Sequence, residues 1–262
     1  MKVRLDRLLV ERALVPSRER AQALILAGRV LVDEQKLDKA GAAVASDAAI
    51  RVLGEDPPYV SRGGLKLAAA LAHWHLDVRG RVCMDVGAST GGFTDCLLQH
   101  GARQVIAVDT GYGQMDLKLR SDARVRLLEK TNARYLTPAQ VWQTGSVREP
   151  IEFIAIDVSF ISATLVLPAV IECTRDSGAA EFQLVTLVKP QFEAGRGQVG
   201  KGGIVRDAEA QQASVRKVAA AVQQLGGTEI ESIDSPILGG AGNREFLLHA
   251  MFAGFAKSAA VH

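Results

Sequence analysis

Residues 85–94 place a glycine-rich turn directly after an apolar run and before a segment with helical spacing. A strand, a glycine turn and a helix in this order direct backbone N–H groups and a helix N-terminus toward a ligand. Gly87 and Gly91 permit a tight turn and a close backbone approach that a side chain would block. The turn by itself is equally typical of a plain connection in any α/β protein.

Asp109 adds a second signal, because it ends the next apolar run about 22 residues after Gly87. An acidic residue at this offset is placed to accept hydrogen bonds from the two hydroxyls of a ribose. The two signals together favour a site for a nucleoside-containing cofactor over a plain turn.

Polar side chains also follow three later apolar runs. Asp157 and Lys189 end the predicted strands 151–156 and 182–188. Ligands of open α/β sheets lie beyond the carboxyl ends of the strands, so Asp157 is expected in the same crevice as the glycine turn. A lysine beside it indicates a role beyond solubility. Asn132 follows another strand, where its amide could contact an adenine edge, although a plain turn asparagine fits equally well.

Two further basic features are less decisive. The glycine-rich loop 195–203 imitates a P-loop, but Gly202 stands where a Mg²⁺-binding Ser or Thr is needed, and Pro190 separates the loop from the preceding strand. We therefore reject nucleoside triphosphate binding and expect a flexible loop that meets substrate phosphates. Lys66 lies in the first turn of a predicted helix, where its charge opposes the helix dipole. Taken alone, it is most simply a surface lysine.

The N-terminal segment is locally basic. Between residues 2 and 32 there are seven basic and three acidic residues. Arginine forks match phosphate oxygens, so this face is a candidate for RNA or DNA contacts. The alternative is a solvated helix face.

Composition limits the class of protein. The chain has 262 residues, 48% of them hydrophobic, which is enough for one large and one small domain. A net charge of +2 means that any affinity for nucleic acid must come from local patches. Three isolated cysteines suit reduced thiols in a cytoplasm, and the charged N-terminus is not a signal peptide. No apolar run approaches the roughly 18 residues of a membrane span. We expect a soluble cytoplasmic protein that needs no metal, since His73 and His75 lack a third ligand.

Periodicity predicts the elements that position these residues. At the N-terminus we expect a helix at 3–14, a second helix from 17 to 28, and a strand pair with its turn at 33–36. Two prolines in the connector 55–58 indicate a stiff link, and we place the domain boundary between residues 57 and 58.

The second domain is predicted to hold a mainly parallel sheet whose final strand inserts antiparallel. Its seven strands are predicted at 81–84, 104–108, 125–128, 151–156, 182–188, 229–233 and 245–251. Helices are predicted at 65–74, 95–100, 161–173 and 207–225, the third with a kink or early break at Pro168.

Residues 4–9, 17–18 and 21–32, together with Asp47 and residues 50–52, resemble the S4-type RNA-binding module. The resemblance covers roughly residues 1–54. It implies a small α+β domain that binds structured RNA, with RNA contacts at Arg4, Arg18, Arg20 and Arg29. Many such modules carry Asn-Gly in the strand turn, whereas this chain carries Asp33 and Glu34, which add acid near the RNA face.

The rest of the chain resembles the Rossmann-like S-adenosylmethionine (SAM) methyltransferases, and specifically the FtsJ-like RNA 2′-O-methyltransferases. The most specific stretches are 61–66, 85–93, 157–160, 188–193 and 242–246. With the S4-type module in front, nearly the whole chain resembles ribosomal RNA methyltransferases of the TlyA/haemolysin-A type. This implies an α/β fold, with a Rossmann-like, seven-stranded methyltransferase domain over residues 58–262 and the α+β module over 1–57.

The resemblance also assigns site residues. The implied cofactor is SAM, with contacts at Asp85, Gly87, Ala88, Ser89, Gly91, Gly92, Phe93, Asp109, Asn132 and Asp157. The implied catalytic set is Lys66, Asp157, Lys189 and Glu245. Further RNA contacts are expected at Arg62, Arg196 and Lys201.

The chemistry of methyl transfer agrees with this set. A ribose 2′-hydroxyl is a poor nucleophile, so the enzyme must align it for in-line displacement and help its proton to leave. A second ammonium nearby favours loss of a proton from a lysine through like-charge repulsion. We expect Lys189 to orient and deprotonate the hydroxyl beside Lys66, with Asp157 and Glu245 fixing the positions of the two lysines. The resemblance implies a cytidine of ribosomal RNA as the substrate, in free RNA or in a ribosomal subunit.

Three other functions fit parts of the sequence. A non-catalytic RNA-binding or ribosome assembly factor with a SAM-binding fold is opposed by the intact charged set. Pore formation, which only the haemolysin label suggests, lacks any segment long and apolar enough for a membrane. Methylation of a small molecule would leave the N-terminal module without a purpose.

Overall fold

The computed structural model of the protein describes residues 2–15, 17–26, 28–53, 58–142, 149–239 and 242–254. The chain divides into two compact units, residues 1–56 and 57–262. Most of the predicted connector 55–58, and Pro16, lie outside the described residues. The boundary after residue 57 stays a prediction.

The first unit combines two helices with short strands. Its elements are β1 (Lys2–Arg4), α1 (Leu5–Glu11), α2 (Arg18–Leu26), β2 (Val30–Val32), β3 (Gln35–Lys36), β4 (Ala43–Ala45) and β5 (Ile50–Val52). Strand β1 pairs antiparallel with β4, and β2 lies between β3 and β5. The core of this unit is formed by apolar residues of both helices and of β2, among them Leu5, Leu9, Leu24, Ile25 and Val30.

Two predictions in this unit were wrong. Residues 2–4 form a strand, so the predicted helix 3–14 begins only at Leu5 and ends at Glu11. The strand has three residues, too few for a periodic signal, and it depends on pairing with distant β4. In the predicted turn, residues 35 and 36 belong to β3, while Asp33 and Glu34 both adopt positive φ. A two-residue hairpin turn requires this backbone conformation even without Asn-Gly.

The second unit alternates helices and strands. Its elements are α3 (Gly63–His73), β6 (Val82–Val86), α4 (Gly92–Gln99), β7 (Gln104–Val108), α5 (Leu117–Arg120), β8 (Val125–Leu128), α6 (Pro138–Val141), β9 (Ile151–Ile156), α7 (Leu167–Asp176), β10 (Glu181–Val188), α8 (Pro190–Glu193), α9 (Ala208–Gln224), β11 (Gly227–Asp234) and β12 (Phe246–Ala253). Three short 3₁₀ helices lie at Ala133–Tyr135, Ala163–Leu165 and Arg196–Gln198.

Seven of these strands form one sheet in the order β11-β12-β10-β9-β6-β7-β8. The five strands from β10 to β8 are parallel, and β12 runs antiparallel between β10 and β11. The predicted Rossmann-like α/β fold with an inserted antiparallel last strand is therefore confirmed.

Both faces of the central strands of this sheet are buried. Along β6, Val82, Met84 and Val86 pack with residues of α7 and α9, whereas Cys83 packs with residues of α3 and α4 on the opposite face. Continuous apolar strands are typical of a parallel sheet that helices cover on both sides. The edge at the carboxyl ends of the strands is left for polar residues.

The predicted helix 161–173 is also corrected. A 3₁₀ helix ends at Leu165, and α7 then begins at Leu167 with Pro168 in its first turn. A proline is tolerated there because the N–H that it lacks would have no intrahelical partner. Pro168 therefore starts this helix and does not kink it.

Candidate active site

The glycine turn between β6 and α4 depends on the neighbouring strand β9. Gly87 has a φ of +87°, and a Cβ atom there would lie 2.4 Å from the backbone oxygen of Asp157. Gly91, with a φ of +97°, precedes α4. A side chain at position 87 would push away the end of β9, so the glycine keeps the turn and Asp157 together.

Asp85 lies beneath this turn, and its side chain does not line the cavities described below. It is completely buried, and Oδ2 accepts a 2.6 Å hydrogen bond from the Thr94 hydroxyl. Burial raises the pKa of the Asp85 carboxyl to about 7. This geometry fits support of the turn better than direct contact with a cofactor.

A cavity of about 300 Å³ opens beyond the turn. Its lining includes Gly87, Ser89, Asp109, Asn132 and Asp157 from the predicted cofactor set. Asp109 accepts hydrogen bonds from the backbone N–H groups of Ser89, at 2.8 Å, and Gly111, at 2.6 Å. Each carboxylate oxygen keeps a lone pair for a ligand hydroxyl.

Asn132 has two functions in this geometry. Its Oδ1 accepts a 3.0 Å hydrogen bond from the N–H of Arg134 and caps the 3₁₀ helix at Ala133–Tyr135. The residue also lines the cavity. The plain-turn interpretation and the predicted binding role are therefore compatible.

A second cavity, of about 250 Å³, shares Gly87, Ser89 and Asp157 with the first. From the predicted cofactor set, Ala88, Gly92 and Phe93 also line it, and Lys66 and exposed Arg62 come from the start of α3. A Cβ atom on Gly92 would lie 2.2 Å from the Ser61 hydroxyl oxygen, so the start of α4 packs directly against the segment before α3.

Lys66 is buried, contrary to its interpretation as a surface lysine. Its Nζ donates a 2.5 Å hydrogen bond to Oε2 of Glu245, and the two side chains are 10% and 2% exposed. Glu245 directly precedes β12. The antiparallel register pairs Val188 with Phe246, which places Glu245 opposite Lys189.

Lys189 is held from two sides. Its Nζ lies 2.6 Å from Oδ1 of Asp157 and donates a 2.7 Å hydrogen bond to the Ser159 hydroxyl. The contact with Asp157 is an ion pair without the angles of a hydrogen bond, so Oδ1 keeps an unused acceptor position among the described residues. Each lysine is thus paired with one carboxylate, and the four charges balance.

A third cavity joins these pairs. Lys189 and Glu245 line it, and it shares Ser159 and Phe160 with the first cavity. Each of the four predicted catalytic residues therefore lines at least one of these three cavities, which share residues and which we together call the cleft.

Several residues of this cleft had no predicted role. Ser159 contacts Lys189, and Phe160 is 92% exposed with a φ of +65°. Both lie in the stretch 157–160, one of the most specific parts of the family resemblance, which could have indicated a role in the site. Gly239 had no signal, yet a Cβ atom there would lie 1.9 Å from Oε1 of Glu245.

The basic loop is held next to this cleft. Asn243 accepts a hydrogen bond from the N–H of Val205, at 3.1 Å, and donates one to the carbonyl of Gly203, at 3.0 Å. Lys201 is exposed at the turn of this loop. The side chain of Arg196 lies outside the described part of the chain.

In the N-terminal unit, the predicted RNA-binding arginines separate into groups. Arg4 and Arg18 both donate to the buried carboxylate of Asp6. Arg29 is half-buried and donates to the carbonyl of Leu53. Arg20 is a half-buried residue of α2. The structure therefore brings two of the four together.

Comparisons with known proteins identify both parts of the chain. The model of the FtsJ-like methyltransferase family matches residues 59–252. The chain belongs to the FtsJ-like methyltransferases. The model of the S4 domain matches residues 3–50, which confirms the predicted N-terminal module.

Relatives of this FtsJ-like methyltransferase cover most of its length. A Bacillus subtilis protein, YqxC, provisionally named an rRNA methyltransferase, is 48% identical, with 97% of this chain and 87% of YqxC covered. The 16S/23S rRNA (cytidine-2′-O)-methyltransferase TlyA of Mycobacterium tuberculosis is 44% identical, with 94% and 89% covered. A solved structure from Streptococcus thermophilus, provisionally named a hemolysin, is 42% identical, with 96% and 89% covered and a TM-score of 0.73.

The predicted cofactor is confirmed: this FtsJ-like methyltransferase uses SAM. The residues of the cleft fit that molecule. The glycine turn forms a cradle that a Cβ atom would fill, and Asp109 presents paired oxygens suited to a ribose. Among the described residues there is no helix long and apolar enough to cross a membrane. The same residues contain no cluster of three or more His, Cys, Asp or Glu that could hold a metal ion.

Proposed function

We propose that this chain transfers a methyl group from SAM to the ribose 2′-hydroxyl of a cytidine in ribosomal RNA. The observation that carries the proposal is the pair of lysine–carboxylate contacts, Lys66 with Glu245 and Lys189 with Asp157, along the cleft that holds the cofactor cradle. The name of the M. tuberculosis relative supports the choice of ribosomal RNA, of cytidine and of the 2′-oxygen.

Bound in the cleft, SAM supplies an electrophilic methyl group on a cationic sulfonium. Asp109 and Asn132 would hold its nucleoside, and the glycine turn would lie against the rest of the molecule. We assign to Lys189 the orientation of the 2′-hydroxyl and, once its ammonium has released a proton to solvent, the acceptance of the hydroxyl proton by the neutral amine. Its Nζ is held by Asp157 and Ser159, which line the cavity assigned to the cofactor. Asp157 and Ser159 fix that ammonium, and Glu245 fixes Lys66 opposite it.

The RNA substrate would contact both units. Exposed Arg62 lines the cleft. Exposed Lys201 lies in the basic loop 195–203, to which Arg196 also belongs by sequence. Phe160 is an exposed aromatic ring beside Lys189, suited to stacking on the target base. We propose residues 1–57 as the RNA-recognition domain and 58–262 as the catalytic domain. We place the reaction in the cytoplasm, where ribosomes are assembled.

The experiment is transfer of labelled methyl groups from SAM to purified small and large ribosomal subunits and to free ribosomal RNA. Label on ribose is expected with the wild-type protein. Lys189→Ala is expected to lower kcat by about 10²–10³-fold with normal SAM affinity. Lys189→Arg keeps the charge, but its guanidinium does not give up a proton, so it should be nearly as inactive. Lys118→Ala, at an exposed lysine of α5, is the control and should be fully active.

Two results would redirect the proposal. Protein that binds SAM but labels no ribosomal substrate would favour a non-catalytic RNA-binding or assembly factor. Near-normal transfer by Lys189→Ala would remove Lys189 from its role while leaving the reaction intact. Lysis of red cells by low doses of purified protein would be needed to support pore formation.

A further inference from the structure

Asp6 occupies an unusual position in the N-terminal unit. Its side chain is completely buried, yet it contacts several polar side chains. Oδ2 accepts hydrogen bonds from Arg4 at 2.9 Å, from Arg18 at 3.2 Å and from Gln22 at 3.0 Å. Oδ1 accepts a further bond from Nε of Arg4 at 3.1 Å. One carboxylate therefore fixes two guanidinium groups.

Both guanidinium groups remain open to solvent. The side chains of Arg4 and Arg18 are each 54% exposed, whereas the carboxylate between them is inaccessible. Arg4 donates to Asp6 from Nε and from one terminal nitrogen, and Arg18 donates to it from one terminal nitrogen. A guanidinium has five N–H donors, so each arginine has more donors than these contacts with Asp6 use. The backbone of Gly41 lies against Arg4, since a Cβ atom there would be 3.3 Å from its Nη1.

Other arginines of this unit are used differently. Arg12 donates to the carbonyls of Ser46 and Ala48, which ties α1 to the strand segment. Arg29 donates to the carbonyl of Leu53. These contacts hold the fold together. Arg4 and Arg18 instead share an anion, and the Arg4 hydrogen bonds hold the pKa of the Asp6 carboxyl well below its usual range.

We propose that Asp6 is a positioning residue that holds Arg4 and Arg18 side by side as a two-pronged clamp for a phosphate group of the RNA backbone. Two adjacent guanidinium groups repel each other, and each long side chain loses rotamer freedom when it binds a phosphate. The buried carboxylate removes the repulsion and fixes both side chains before RNA arrives. The proposal rests on the proposed RNA substrate and adds a residue to its recognition.

The direction in which Asp6→Asn changes RNA affinity distinguishes a positioning role of Asp6 from a simple effect of its charge. Asp6→Asn removes a negative charge next to the RNA-binding face, so electrostatics alone would tighten RNA binding. If Asp6 positions the arginines, the same change weakens RNA binding, by about tenfold, and lowers the slope of log K against log salt by about one. Glu11→Gln is the matched control, because it removes the same charge from α1, where the described partner of Glu11 is Arg7. It should bind RNA as well as the wild type or more tightly.

The test measures the affinity of the full-length protein for ribosomal RNA as a function of salt, with kcat and KM for methyl transfer. For Asp6→Asn we expect a KM for RNA raised about tenfold and an unchanged kcat. In an Arg4→Ala/Arg18→Ala background, Asp6→Asn should not weaken RNA binding any further. Should Asp6→Asn fail to fold, Arg4→Lys keeps the charge but loses the two-point contact, and it should weaken binding where Arg7→Lys does not.

The outcomes distinguish the two proposals. Asp6→Asn that binds RNA normally or more tightly, while Arg4→Ala and Arg18→Ala bind weakly, would overturn the positioning role alone. Unchanged binding in all of these variants would remove the clamp altogether. A wild-type protein that binds RNA but transfers no methyl group would overturn the proposed function and leave the clamp standing.

Discussion

The Nζ atom of Lys66 lies 2.5 Å from Oε2 of Glu245, although 179 residues separate them in the sequence. The contact exists because β12 runs antiparallel to its neighbours. Its first residues therefore lie at the edge where the parallel strands end, opposite the start of α3 and next to Lys189. The inserted last strand thus completes the charged cleft.

The Lys66–Glu245 pair predicts that variants of these two residues can recover stability without recovering activity. Glu245→Gln leaves a buried ammonium without its counter-charge, and it should lower the free energy of unfolding by about 3 kcal/mol as well as kcat. In Lys66→Met/Glu245→Leu both charges are gone, and stability should largely return while methyl transfer stays lost. Urea denaturation and single-turnover methylation measure the two quantities. Recovery of activity in the double variant would show that the pair is only structural.

The glycine cradle gives a second prediction. Gly87→Ala should weaken SAM binding more than about tenfold, or 1.4 kcal/mol, because the new Cβ would displace the end of β9 and Asp157. Gly178→Ala is a matched control, since Gly178 has the same φ of +87° but no atom within 4 Å of a Cβ. Gly178→Ala should lose about 1 kcal/mol of stability from backbone strain, and Gly87→Ala should lose more because its Cβ also meets Asp157. Calorimetric titration with SAM should show weaker binding only for Gly87→Ala. Equal SAM affinities of the two variants would contradict the role of the cradle.

Much of the cofactor side could be predicted from the sequence because its signals are local. The glycine turn, Asp109 and Asp157 each follow an apolar run, and the parallel sheet brings the ends of such runs together. The burial of Lys66 could not be predicted in this way, since its partner comes from the last strand. Strand β1 also escaped prediction, because three residues carry no periodicity and their partner β4 is remote.

Asp85 predicts a pH dependence of stability. Burial raises the pKa of its carboxyl to about 7, so between about pH 4 and pH 7 the folded state keeps a proton that the unfolded chain releases. The contribution of Asp85 to stability therefore falls as pH rises through this range and is constant above it. Asp85→Asn stays neutral, so its free energy of unfolding relative to wild type should rise from pH 5 to pH 8.

Denaturant titrations at several pH values test this expectation, with Asp122→Asn as the control. The Arg124 guanidinium lowers the pKa of the Asp122 carboxyl to about 2, so Asp122 stays ionised throughout. Its difference from wild type should not change between pH 5 and pH 8. A flat difference for Asp85→Asn as well would show that Asp85 is ionised in the folded protein.

Phe160 gives the last prediction. Its ring is exposed at the cleft, and its φ of +65° lies in the left-handed region, which is strained for a bulky residue. The ring contacts that of Phe192, with centroids 5.4 Å apart, but its high exposure limits what it adds to the fold, so its role is expected in substrate contact. Stacking on a base contributes about 1–3 kcal/mol, and Phe160→Ala should therefore weaken productive RNA binding about tenfold without changing SAM affinity.

Phe160→Gly separates the backbone strain at this position from the contribution of the ring to RNA binding. Glycine adopts this backbone conformation without strain, so the variant should be at least as stable as the wild type and still methylate RNA poorly. Phe160→Trp should retain most activity because it keeps a stacking surface. Leu165→Ala, which shortens a nearby exposed apolar side chain, is the control and should be active. Thermal unfolding and KM for RNA decide the matter: full activity in Phe160→Gly would exclude stacking by this ring.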